Sequence, residues 1–159
     1  MKIGILGGSF DPAHKGHLAI SKEAKKRFNL EKIIWAVTKK NQLKAESKTP
    51  ISKKIKDCKK IIGMNSFIKV KFYENIIKSN KTIDLINYLK KNKNIEIFFL
   101  MGADNLISFH KWHKSKLISQ KCNIIVFDRH GYKKNSLKSK TFKRLIDSNQ
   151  QDHAGEVYL

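Results

Sequence analysis

Arginine is scarce in this 159-residue chain: Arg27, Arg129 and Arg144 stand alone among 34 lysines and arginines. Proteins built to grip phosphate bidentately favour the planar guanidinium fork over flexible lysine. The formal charge of +21 therefore reads as compositional drift toward Lys, Asn and Ile rather than as a designed basic face. Acids are few too, 13 in all. Cysteine is limited to Cys58 and Cys122, which form neither a CxxC pair nor a Cys/His cluster and read as buried, reduced thiols. No apolar run approaches the ~20 residues that cross a bilayer. The short apolar start at residues 1–6 is broken at once by glycines and Asp11, which argues against a secretory signal. Internal repeats and low-complexity linkers are missing. With 40% hydrophobic residues the chain can build a core, and one cytoplasmic domain that attracts anions is expected.

What is present has a clear rhythm. Five runs rich in Ile, Val and Phe, namely Lys2–Leu6, Ile33–Val37, Phe67–Phe72, Ile95–Met101 and Cys122–Phe127, read as buried strands. Between them lie helical spacings: Leu18, Ala19, Lys22, Ala24, Lys25 and Phe28; Ile51, Ile55, Cys58, Ile61 and Ile62; Ile83, Ile86, Tyr88 and Leu89. Thr82 is expected as an N-cap, with Asp84 facing the helix dipole. This alternation predicts an α/β, doubly wound, Rossmann-like parallel sheet of about five strands with helices on both faces. Such folds bind ligands at the carboxyl ends of their strands. Residues 150–159 lack Lys and Arg, contain Asp152 and Glu156, and continue no pattern. They are expected as an atypical tail behind a domain spanning 1–149.

The densest signal follows the first strand: Gly7-Gly8-Ser9-Phe10-Asp11-Pro12-Ala13-His14-Lys15-Gly16-His17. The spacing is neither that of a P-loop nor that of the GxGxxG dinucleotide fingerprint. Gly7 and Gly8 would let the backbone approach a bulky ligand and take angles other residues resist. Ser9 offers a hydroxyl, and Pro12 stiffens the turn before a helix whose free N–H groups and positive dipole end suit an anion. His14 and His17, three apart near that helix start, project from one side and can donate to phosphate oxygens.

This string resembles the HxGH nucleotidyltransferase superfamily, and most closely the bacterial nicotinate-nucleotide adenylyltransferases, whose signature reads GGxFDPxHxGH. Asn41-Gln42-Leu43-Lys44, Lys81-Thr82-Ile83-Asp84, Gly102-Ala103-Asp104 with Phe109-His110-Lys111-Trp112-His113, and Asp128-Arg129-His130-Gly131 resemble further family segments. The resemblance implies AMP transfer from ATP to nicotinate mononucleotide, giving nicotinate adenine dinucleotide and pyrophosphate for NAD biosynthesis. It implies His14, His17 and Lys44 as catalytic residues. Gly7, Gly8, Ser9, Phe10, His17, Gly102, Asp104 and Arg129 would bind ATP, and Thr82 and Trp112 the mononucleotide, with Trp112 stacking on the pyridine ring. Mg²⁺ would come mainly on the ATP phosphates, with no direct protein ligand.

Departures from the family pattern are equally visible. Gln42, Lys81 and His130 stand where the family has Pro, Tyr and Pro, and Ser115 stands where a second aromatic is common. The late ISSTxIR motif that clamps ATP has only a loose echo in Ser139–Arg144. The alternatives are a related adenylyltransferase such as pantetheine-phosphate adenylyltransferase, an inactive truncated family member, or a basic nucleic-acid-binding protein. Lysines spread along the chain, without an aromatic RNA-binding motif, argue against the last. No membrane partner is expected.

Overall fold

Runs of β-branched and aromatic residues, flanked by turn-formers, form the strands. The computed structural model describes residues 1–39 and 47–127, and the backbone of residues 157–158. β1 (Lys2–Gly8), β2 (Lys32–Val37), β3 (Ile68–Lys71), β4 (Glu96–Gly102) and β5 (Asn123–Phe127) coincide with the five apolar runs. All pair in parallel, in the order β3-β2-β1-β4-β5, with β6 (Val157–Tyr158) beyond β5. The register places Gly8 beside Val37, and Gly102 beside Phe127. The carboxyl ends of these strands thus share one edge. Strand order reverses between β1 and β4, and the crevice opened by that reversal is where doubly wound sheets seat ligands.

α1 (Lys15–Phe28) and α2 (Ile51–Ile62) cover one face; α4 (Thr82–Leu89), α5 (Ala103–Ser108) and α6 (Ser115–Lys121) cover the other. α3 (Glu74–Ile77) is a single turn. α1 ends with Lys25, Lys26 and Arg27 against its negative dipole end, and Asn29 closes it in the left-handed conformation at φ 52°. α2 begins after Pro50 and stops at Gly63, where φ is 56°. Its buried stripe is Lys54, Cys58 and Ile62, one residue per turn of the helix.

Two cores result, one on each face of the sheet. Leu30, Ile33, Trp35, Val37 and Leu100 anchor the α1/α2 side. Ile3, Ile5, Ile86, Ile97 and Phe99 anchor the α4/α5/α6 side. Cys58 belongs to the first and Cys122 to the second. They cannot pair across the sheet, and both are free and buried. Burial pushes the Cys58 thiol up to about 11 and the Cys122 thiol up to about 12.

Two expectations are corrected. Lys81, not Thr82, is the N-cap of α4, and it makes no side-chain capping bond. Ser79 closes the entry instead: its hydroxyl accepts from the Lys81 N–H at 3.1 Å and donates to the Asp84 carboxylate at 2.5 Å. Nor is the tail patternless, since Val157 and Tyr158 pair with Ile124 and Ile125 of β5. A two-residue strand has no period to read, and its existence depends on an open sheet edge that only the folded chain supplies. Among the described residues no helix is long and apolar enough to cross a membrane.

A thiol titration with a bulky disulfide reagent tests this layout. The native protein is expected to react at neither cysteine, and the denatured protein at both; prompt reaction of the native form would place a thiol at the surface.

Candidate active site

The site grows from the peptide that links β1 to α1. His14 is the N-cap of α1, in extended backbone (φ −148°, ψ 172°), and closes a capping box with His17. The His14 Nδ1 accepts from the Gly16 N–H at 3.1 Å, and the His17 Nδ1 accepts from the His14 N–H at 3.1 Å. An imidazole whose Nδ1 accepts carries its proton on Nε2 when neutral, so the cap sets the tautomer of both rings. The rings stack 3.9 Å apart at 28°. Of the N–H groups expected to face a ligand at this helix start, two are used within the cap. Gly16 N–H is used by His14, and His17 N–H donates to the His14 carbonyl at 3.1 Å. Both imidazoles sit on the positive end of the helix dipole. Gly16 is required by the same stack: a Cβ there would lie 2.8 Å from the His14 ring atoms.

Phe10 holds the loop down. It adopts φ 49° and is 3% exposed, stacked on Trp35 at 5.1 Å and against His17 at 4.6 Å. The Trp35 indole N–H donates to Ser21 Oγ at 2.8 Å, and that hydroxyl donates to the His17 carbonyl at 2.8 Å. Sequence reasoning passed over Trp35 and Ser21. An aromatic in a strand and a serine in a helix give no sign that they meet, fourteen residues apart, beneath the β1–α1 loop. The expectation of unusual backbone angles at Gly7 and Gly8 is corrected too, because in this loop the positive φ is at Phe10 and not at either glycine. A Cβ at Gly7 or Gly8 would find ordinary contact with Phe99 or Phe10, so neither glycine is forced by the protein's own packing.

Asp11 binds the segment that leads into α2. Its carboxylate accepts from Ser47 Oγ at 2.5 Å and Thr49 Oγ1 at 2.8 Å. Those two hydroxyls, with lesser help from the charges of Lys54 and Lys53, hold the carboxyl below its ordinary value. Lys54 is buried beside this arrangement, its ammonium donating to the Thr38 carbonyl at 3.0 Å.

Across the switch point, β4 ends at Gly102, the N-cap of α5, and Asp104 lies half-buried in the first turn of that helix. On the other side of β1, a small cleft opens between the ends of β1 and β2 and the start of α4, with Gly7, Thr38, Tyr73, Thr82, Leu85 and Phe99 among its walls. Trp112 is half-buried and meets Phe99 edge-on at 6.0 Å and Phe109 at 5.1 Å. The fold thus brings Gly7 and Thr82 into one cleft, with Trp112 packed against a residue of its wall. Lys44, Arg129 and the Ser139–Arg144 segment lie outside the described residues. Among the described residues no group of three His, Cys, Asp or Glu side chains could hold a metal.

Comparison with known proteins agrees with this geometry. The sequence pattern of the cytidylyltransferase-like family matches residues 5–152. A Pelagibacter ubique (strain HTCC1062) protein named "Probable nicotinate-nucleotide adenylyltransferase" is 67% identical over 141 residues, covering 89% of this chain and 78% of its own. An Agrobacterium fabrum (strain C58) protein of the same name is 35% identical over 133 residues, covering 82% and 71%. Plasmodium falciparum nicotinic acid mononucleotide adenylyltransferase, solved with NaAD, superposes with a TM-score of 0.75 at 22% identity, over 86% of this chain and 70% of that one. At that identity the likeness is one of fold.

Three outcomes are expected from NMR. Long-range nitrogen–proton spectra will show both His14 and His17 as Nε2–H tautomers, and Gly16→Ala will shift the His14 ring out of its stack. The Asp11 carboxyl will titrate below an ordinary aspartate. A depressed native value means the clamp contributes above the ordinary carboxyl pKa of about 3.9 and is lost as pH falls through the native value. An Asp11 titrating at or above the ordinary value would remove the clamp.

Proposed function

The chain belongs to the cytidylyltransferase-like family, and we propose from that membership that it is a nicotinate-nucleotide adenylyltransferase. It takes ATP and nicotinate mononucleotide to nicotinate adenine dinucleotide and pyrophosphate. The observation that carries the reading is the stacked His14–His17 pair at the carboxyl end of β1, beside the reversal of strand order. The relatives named above favour it over a phosphopantetheine substrate or a nucleic-acid partner.

The chemistry asks little covalent work of the protein. A phosphate oxygen of the mononucleotide attacks the α-phosphorus of ATP in line; one P–O bond forms as the bond to the departing pyrophosphate breaks. No side chain acts as nucleophile, so catalysis consists of holding two anions together and stabilising charge as it moves. The imidazoles of His14 and His17 donate to ATP phosphate oxygens in this reading. Gly7, Gly8, Ser9 and Phe10 give the loop its close approach and its shape. Gly102 and Asp104 form the nucleoside side of the crevice across β4. Thr82 at the start of α4 meets the pyridine end of the mononucleotide in the cleft. Trp112 provides an aromatic wall through its contact with Phe99. By resemblance to the family, Lys44 and Arg129 add positive charge at the phosphates.

The donor set among the described residues suits a Mg²⁺ that arrives on the triphosphate as part of the substrate, since Mg²⁺ keeps its waters and takes phosphate oxygens in preference to protein cages. Its chemical contribution is neutralisation of the leaving pyrophosphate.

Pyrophosphate release from purified protein with MgATP and nicotinate mononucleotide tests the reading, with nicotinamide mononucleotide and phosphopantetheine as controls. Turnover selective for the nicotinate substrate is expected; turnover only with phosphopantetheine, or none at all from folded protein, would overturn it. His17→Ala is expected to lower kcat about 100-fold or more, the size of effect of a lost transition-state donor, and to change KM far less. Normal turnover by that variant would remove His17 from the catalytic set.

A further inference from the structure

We propose that Lys54 is a positioning residue for the β1–α1 loop, the inner half of a polar clamp whose outer half is Asp11 with Ser47 and Thr49. Lys54 is 1% exposed, and it is the one lysine among the described residues that is buried. It occupies the inward stripe of α2 with Cys58 and Ile62, where helical spacing calls for an apolar side chain. Its ammonium donates to the Thr38 carbonyl at 3.0 Å. Thr38 in turn donates its N–H to the Gly8 carbonyl at 2.9 Å, so Lys54 reaches the end of β1 through one residue. The segment leading into α2 is held to the same loop from outside, through Ser47 and Thr49 on Asp11. α2 is thereby fastened at two points: to the strand ends that begin the loop, and to the loop itself three residues before His14.

Stability alone does not account for this lysine. Burying an ammonium costs several kcal/mol of desolvation, and a methionine of similar length would fill the stripe without that cost. What an apolar residue cannot do is hold the Thr38 carbonyl while placing positive charge beside Asp11. A positioning lysine and a stability lysine therefore predict opposite results for Lys54→Met. The inference rests on the adenylyl-transfer reading only for its kinetic readout.

The experiment compares Lys54→Met with the half-buried pair Ser47→Ala/Thr49→Val in pyrophosphate release, thermal unfolding and histidine ring NMR. Expected for Lys54→Met is an unfolding midpoint equal to or above that of the parent. With it should come a kcat lower by about 10- to 100-fold, the scale of a small misplacement of positioned groups, a KM for nicotinate mononucleotide within about threefold, and shifted His14 and His17 ring signals. The hydroxyl pair should lower kcat in the same sense, and the triple variant should be little worse than Lys54→Met, because members of one network do not add. A Lys54→Met protein with normal kcat, or one whose kcat falls only in proportion to its unfolded fraction, overturns the proposal. If Lys54→Met does not fold, unchanged kcat in the hydroxyl pair overturns it. If the parent releases no pyrophosphate, the functional reading fails by itself. The clamp is then judged by the ring signals, and unchanged signals in both variants overturn it.

Discussion

The stack of Phe10 on Trp35 is the contact on which the site depends. Phe10 adopts a backbone angle that non-glycine residues rarely take, at a cost of about 1 kcal/mol or more. Burial of the ring between Trp35 and His17 offsets that cost. The consequence is directional. With Phe10 turned inward, Asp11 is thrown outward to Ser47 and Thr49 and the chain re-enters at His14 to start α1. Trp35 passes the constraint on through Ser21 to the His17 carbonyl. A strand residue on β2 thereby governs where the first turn of α1, and both imidazoles, sit over the edge of β1.

The two histidines then serve two purposes at once. In an ordinary capping box the side chains end at the backbone donors they satisfy. Here each ring satisfies a donor with Nδ1, so the energy that starts the helix also fixes the orientation of both imidazoles. Gly16 is part of the same arrangement, since its missing side chain leaves room for the His14 ring. Proximity catalysis needs this kind of rigidity, because two phosphate-bearing substrates meet only if the groups that neutralise them stand in place beforehand.

The large positive charge plays little part in this. Among the described residues one ion pair is formed, Lys53 with Asp57 at 2.8 Å on the outside of α2, and exposed helical pairs of that kind contribute about 0.3–0.5 kcal/mol. Most lysines are solvated side chains that give the molecule a general attraction for anions. Lys54 differs from them by position and not by type, and for that reason composition could not single it out.

How far the site was legible follows from range. The five strands, three of the helices and the order of layers were written in local periodicity, because a buried strand must be apolar along its length and a covering helix apolar along one stripe. The loop from Gly7 to His17 was legible as a string, since its chemistry is packed into eleven consecutive residues. The short helices α3, α5 and α6 offered too few residues for a period to emerge, and β6 offered two. Trp35, Ser21 and Lys54 were illegible for another reason: each looks ordinary among its neighbours and matters only through a partner distant in the chain. The Thr82 cap and the glycine angles failed on detail that neighbouring side chains decide. Sequence by itself determined the elements, their burial and the residues that crowd one loop, because local pattern controls those. Tertiary structure decided the reversal of strand order that opens the crevice, the ring tautomers and the buried lysine's role, because these depend on contacts that exist only once distant segments have packed.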